Sequence, residues 1–153
     1  MSPDPRGPEP RTDQRDLPKP RPHATPTSAP FWDGLAAERV RLQRCQACET
    51  WIHYPRARCP HCLSDRLAWH DVSGHGTVLT FTVARQPTAR PFADEVPQLL
   101  AVVELDEGVR MTTTLVGVEP EAVGVGMAVV PVFDHLPDDD GPDGTTLLRY
   151  QPG

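Results

Sequence analysis

The stretch Arg44-Cys45-Gln46-Ala47-Cys48, followed after a ten-residue excursion by Cys59-Pro60-His61-Cys62, decides how the rest of the chain is read. Two residues between cysteines let a tight turn present both sulfurs to one ion. The excursion then reads as a hairpin whose far end supplies the second pair. Four thiolates close a tetrahedron and leave no position for water or substrate. The pattern therefore predicts one structural Zn2+ held by Cys45, Cys48, Cys59 and Cys62, not a catalytic metal. Two disulfides are the competing reading of the same spacing, and it belongs to secreted domains. His53 and His61 flank the pairs and are expected beside the site, since four cysteines already complete it. Glu49 and Leu63 follow the second cysteine of each pair, where the backbone favours positive φ and glycine is common.

Working outward, Trp51, Ile52 and Tyr54 supply the small hydrophobic cover a ribbon needs. Upstream, Phe31 and Leu35 fall near one helical face with Pro30 at its start. A short helix over 31–38 is predicted, running into a strand at 39–44. Phe31 and Trp32 either cap the core of the following domain or anchor a partner. Before them, residues 1–30 hold nine prolines and almost no apolar side chains. Such a segment buries too little surface to offset its ordering entropy, so residues 1–29 are expected to form a disordered tail.

Downstream of a bridge at 63–73 the pattern becomes period two. In Thr77–Val83, Leu79, Phe81 and Val83 are expected on one face and Val78, Thr80 and Thr82 on the other. Further strands are predicted at 98–105, 109–116, 127–133 and 145–150. Asp106-Glu107-Gly108 reads as a hairpin turn, and Glu119-Pro120-Glu121 with Gly124 and Gly126 as a crossover. Five short strands without a helix among them suggest a small barrel of the OB type. The expected architecture is all-β with a small N-terminal helix: a rubredoxin-like zinc ribbon at 30–70, then a five-stranded OB-fold barrel at 71–153.

Charge narrows the function. The net −6 is uneven, because residues 71–153 carry thirteen acidic side chains against four arginines and no lysine. Nucleic-acid affinity rests on cations neutralising phosphates, which makes an OB-fold nucleic-acid binder the poorer alternative. No stretch of eighteen apolar residues suggests a membrane span, and the polar start does not resemble a secretion signal, so a cytoplasmic protein is expected. No nucleophile stands beside a base and an orienting group, and His70, His75 and His135 are scattered among strand edges. The chain is expected not to catalyse on its own. Asp138, Asp139, Asp140 and Asp143 lack the alternation of an EF-hand and read as a solvated loop. The long connection 86–97 holds Phe92 at its middle, with Arg85 and Arg90 at its start. It is either a contact for a partner or for a phosphate-bearing ligand, or a mobile connection with incidental arginines.

Taken together, Pro30-Phe31-Trp32, the two cysteine pairs, Ser73-Gly74-His75-Gly76-Thr77-Val78 and Leu105-Asp106-Glu107-Gly108-Val109-Arg110 resemble the zinc-ribbon and OB-fold proteins associated with acyl-CoA enzymes. The resemblance runs from Pro30 to Tyr150. It implies an accessory subunit of a thiolase-fold protein (a thiolase, acyltransferase or aldolase), with a hotdog-fold hydratase as a further partner. It also implies that the ribbon and barrel help line the path of the acyl-CoA thioester, while the partner supplies the catalytic residues.

Overall fold

The computed structural model describes residues 19–136 and 144–153. The proline-rich stretch up to residue 18 and the run Asp138, Asp139, Asp140 and Asp143 lie outside the described residues. One helix, α1 (Ala29–Ala36), precedes the strands and carries Pro30 in its first turn, where a missing N–H costs nothing. Its end is a Schellman arrangement: the Arg39 N–H donates to Gly34 O at 2.8 Å and the Glu38 N–H to Leu35 O at 3.0 Å. Glu38 holds the left-handed position there, with φ of 54°. The helix thus starts and stops two residues earlier than its apolar spacing predicts.

Next come β1 (Val40–Cys45), β2 (Trp51–Ile52) and β3 (Leu67–Val72), which form an antiparallel sheet in the order β2-β1-β3. The strand β3 is absent from the sequence reading, which treats 63–73 as a bridge. Its only clear apolar members are Leu67, Ala68, Trp69 and Val72, while His70 and Asp71 are exposed, so no alternation marks it. Pairing with β1 creates it, in a register from Val40↔Val72 to Cys45↔Leu67. Inside this sheet Gln43 is buried, yet both ends of its amide are satisfied. Its Nε2 donates to Arg56 O at 3.0 Å, and the Arg56 N–H donates to its Oε1 at 2.7 Å. The side chain stands in for a strand partner and staples the excursion between the cysteine pairs to the sheet.

The remaining strands are β4 (Gly76–Ala84), β5 (Gln98–Leu105), β6 (Arg110–Leu115), β7 (Ala128–His135) and β8 (Thr146–Pro152). They close a five-stranded barrel in the order β4-β5-β6-β8-β7, as the OB reading expects. Two of the seams are short: β4 meets β7 only through Gly76↔Val129 and Thr77↔Ala128, and β6 meets β8 in parallel through Leu115↔Tyr150. At the first seam Gly76 is required by space, because a Cβ there would strike Glu104 O. One phase differs from the expected alternation. A bulge between Val78 and Thr80 shifts the β4–β5 register, so Val78 points into the core at 1% exposure and Leu79 points out. Beyond the bulge Phe81 and Val83 resume the inward face as expected.

Packing divides the molecule unevenly. The main core joins Leu35 of α1 with Val40 and Leu42 of β1 and with the barrel's Val78, Val103, Val129 and Tyr150. A second cluster, Cys45, Ile52 and Cys59 with Leu67 and Cys48 against it, stands apart at the far end of the ribbon. That end is too small to be held by apolar burial alone.

Candidate functional site

The four cysteines lie with their sulfurs all within 4.8 Å of one another. A tetrahedron with zinc–sulfur bonds of about 2.3 Å has edges of roughly 3.8 Å. The Cys45–Cys62 and Cys48–Cys59 sulfurs are each 3.6 Å apart, close to that edge and far from disulfide length. All four are free thiols, so the disulfide reading is set aside. Each pair is built alike. The Ala47 N–H donates to Cys45 Sγ and the His61 N–H to Cys59 Sγ, both at 3.4 Å. The Glu49 N–H closes on Cys45 O and the Leu63 N–H on Cys59 O, both at 2.9 Å. Amide donors of this kind stabilise negative sulfur, which is the ligand form. At Cys48 the Thr50 hydroxyl and N–H lower the thiol to about 5. This chain therefore carries a site for one structural zinc.

Glu49 and Leu63 both adopt φ of 62°, the strained position anticipated for them. Leu63 is also 69% exposed, so its side chain contributes little packing. Leu63→Gly should raise the stability of the zinc-loaded ribbon by about 1 kcal/mol, the relief of a left-handed L-residue less the added freedom of the unfolded chain. Thermal melting of the zinc-loaded variant checks this, and a lower melting temperature would contradict it.

Above the ribbon, a cavity of about 520 Å³ lies between α1, the excursion at His53–Pro55, the 3-10 turn Arg90–Glu95 and the seam of β6 with β8. Three of the residues expected to contact a partner or CoA meet on it: Phe31, Trp32 and Phe92. Phe31 is buried in the main core, packed edge-on to Trp32 at 5.3 Å and against His53 at 5.8 Å. Trp32 and Phe92 are half-buried. Arg85 and Arg90 are exposed on the same connection but are not part of the cavity wall.

Three residues that shape the cavity, Glu95, Gln98 and Arg149, carry no signal in the sequence, and His53, expected beside the zinc site, lies on the cavity wall against Phe31 instead. Glu95 sits at the cavity's edge, where Lys19 Nζ binds it at 2.6 Å and Gln98 Nε2 donates to its Oε2 at 2.9 Å. Burial opposes that carboxylate, but these two hydrogen bonds outweigh it and hold its pKa below the ordinary value. Arg149 Nε binds Asp134 Oδ2 at 2.7 Å. Burial pushes the His53 imidazole down to about 4, so it is neutral near pH 7. Only spatial neighbours make Gln98 or His53 notable, and those are brought by elements far apart in the chain.

Comparison with known proteins then places the chain. Residues 32–68 match the rubredoxin-like zinc ribbon domain of ChsH2, and residues 69–134 match the ChsH2 C-terminal OB-fold domain. A DUF35 domain-containing scaffold protein of Methanocaldococcus jannaschii is 34% identical over 111 residues, 71% of this chain and 76% of the relative. The chain belongs to the DUF35 family. Another relative, a probable enoyl-CoA hydratase alpha subunit of Thermomonospora curvata, is 38% identical over 73% of this chain. The 3-oxo-4,17-pregnadiene-20-carboxyl-CoA hydratase alpha subunit of Mycobacterium tuberculosis is 36% identical over 77% of it. This DUF35 chain spans only 34% and 37% of the length of those two subunits. Among solved structures, one described as an Ltp2-ChsH2(DUF35) aldolase superposes with a TM-score of 0.72 at 36% identity, covering 86% of this chain and 98% of that one. A DUF35 protein of unknown function from Sulfolobus solfataricus shares the fold at 17% identity, with a TM-score of 0.58. No helix among the described residues is long and apolar enough to cross a membrane.

Proposed function

We propose that this chain is a non-catalytic accessory subunit that docks on a thiolase-fold enzyme (a thiolase, acyltransferase or aldolase) and helps it hold an acyl-CoA substrate. The observation that carries this reading is the likeness to a solved chain described together with an aldolase, at 36% identity over 98% of that chain. The chemistry of the molecule agrees. All four cysteines serve the zinc site, and the barrel holds its strands together around packed side chains. A hotdog-fold hydratase is the second partner, favoured by the two relatives that are hydratase alpha subunits.

The docking face is the ribbon side of α1 together with the connection 85–97. Trp32 is half-buried beside exposed Asp33, and Arg85 and Arg90 are exposed. An aromatic anchor ringed by charge is the usual make-up of an interface centre. Phe31 serves the core, so its truncation would report on folding and not on docking. Co-purification from the source cell should return a thiolase-fold protein. Trp32→Ala and Arg90→Ala should then weaken the complex, the first by tenfold or more on the usual scale of buried aromatic anchors, with zinc content unchanged. Elution of the chain alone, or a complex indifferent to both variants, would remove the reading.

A further inference from the structure

Residues 19–28 read Lys-Pro-Arg-Pro-His-Ala-Thr-Pro-Thr-Ser and lie against the face that carries Trp32. Their root is a closed turn before α1. The Thr25 N–H donates to Ser28 Oγ at 2.9 Å, and the N–H groups of Ser28 and Ala29 donate to Thr25 O at 2.9 and 2.8 Å. The other end is tied to the 3-10 turn Arg90–Glu95, 76 residues away along the chain. Lys19 Nζ binds Glu95 Oε1 at 2.6 Å and Asp94 Oδ1 at 3.3 Å, and it stands 5.9 Å from the centre of the Phe92 ring.

Between these ends the side chains divide. His23 lines the cavity of about 520 Å³, while Pro22 and Ala24 line a second hollow with Asp33 and His135. Successive side chains turned to opposite sides mark an extended segment. Trp32 borders both hollows, so the segment runs beside Trp32 and separates them. Extended, proline-rich, basic segments are recognised by aromatic surfaces with acidic residues beside them, and Trp32, Phe92, Asp94 and Glu95 compose such a surface. The prolines at 20, 22 and 26 leave the free segment less freedom to lose on docking. Its hold is weak, however. An exposed ion pair shifts an equilibrium by about fivefold at most, and the Lys19 side chain is 38% exposed.

We infer that residues 19–28 are an autoinhibitory strap: docked, they cover the Trp32 face, and release of Lys19 from Glu95 and Asp94 lets them swing away about the Thr25–Ser28 turn. What the strap holds off rests on the function proposed above; the strap itself does not. A partner enzyme that seats on Trp32 must displace it first. Apparent affinity for that partner is lowered by the fraction of molecules whose face is open, and rupture of the Lys19 contact raises that fraction.

The test uses the full zinc-loaded chain grown with 5-fluorotryptophan, whose fluorine signals report Trp32, Trp51 and Trp69 separately. Trp32→Phe identifies the first. A soluble nitroxide broadens each signal according to its exposure. Lys19→Glu, which sets three carboxylates together, should raise the broadening at Trp32 by about threefold or more and leave Trp51 and Trp69 as in the parent. About 0.5 M NaCl, where the Debye length falls to roughly 4 Å, should move the parent in the same direction. Equal broadening at Trp32 in parent and variant overturns the strap. So does a parallel rise at all three tryptophans, which would mean a loosened fold. The thiolase-fold partner recovered by co-purification should bind Lys19→Glu about three- to tenfold more tightly than the parent. A Trp32 signal that opens while partner affinity stays unchanged removes the autoinhibition and leaves the docking reading intact. Capture of no partner by either protein removes the docking reading, and the strap is then judged by the fluorine signal alone.

Discussion

Cys59→Ser is expected to empty the zinc site and unfold the far end of the ribbon while the barrel stays folded. The reason lies in how the apolar contacts are divided. Cys59 is fully buried, and its cluster contains only Cys45 and Ile52 beside it, with Cys48 and Leu67 at the edge. So few side chains cannot offset the entropy of ordering two turns and an excursion. In modules of this size the metal supplies the folding energy, with apparent values on the order of 10 kcal/mol or more in isolated peptides. The other end of the same sheet is held differently, since Val40 and Leu42 belong to the barrel's core. The boundary of unfolding should therefore fall within β1, between Leu42 and Cys45. Hydrogen exchange would show it, with protection lost around residues 45–67 and kept in β4–β8. Loss of protection throughout the barrel would mean that zinc holds the whole chain together. Full protection in the ribbon would mean that the metal is dispensable.

What the sequence discloses depends on whether a feature is local. The cysteine spacing predicts the zinc site because two turns of fixed length fix four sulfurs. Likewise Glu49 and Leu63 can be expected to be strained from their place after the second cysteine alone. Asp106-Glu107-Gly108 marks its hairpin because Gly108, at φ of 81°, supplies the turn's left-handed residue. Features made by partners are hidden. The bulge at Leu79 breaks the alternation of β4 through its register with β5, and β3 becomes a strand only against β1. The cavity is the extreme case. Its wall draws on α1, the ribbon, the 3-10 turn, β5, β6 and β8, so residues such as Gln98 and His53 come together only when these distant elements meet. Charge counting along the chain has the same blind spot. It notes Arg85 and Arg90 in the connection, yet the arginine that reaches the cavity is Arg149, and Asp134 neutralises it.

Acid should destabilise the protein through His53 between about pH 6.5 and pH 4. Its imidazole Nδ1 is buried without a partner, and its ring lies between Tyr54 at 4.1 Å and Phe31 at 5.8 Å. An imidazolium there would need a hydrogen-bond acceptor at that nitrogen and finds none, so burial lowers the pKa from 6.5 to about 4. The sign follows from proton counting. As the pH falls through 6.5 the unfolded chain takes up a proton at this residue while the folded chain does not, and mass action favours the unfolded chain. At pH 7 the penalty is negligible. Near pH 4 it approaches its limit, at most about 3 kcal/mol from the width of that window, and solvent reaching the half-buried ring trims it. Other groups also titrate there and protons compete with zinc for thiolates, so the variant must be compared with the parent at each pH. His53→Phe keeps a ring between Tyr54 and Phe31 and removes the titration. Denaturant unfolding of the two proteins should differ by a constant above pH 7. The variant should gain on the parent by about 2 kcal/mol or more as the pH is lowered to 4. A difference that does not change with pH would show that His53 accepts its proton in the folded protein as readily as in the unfolded chain.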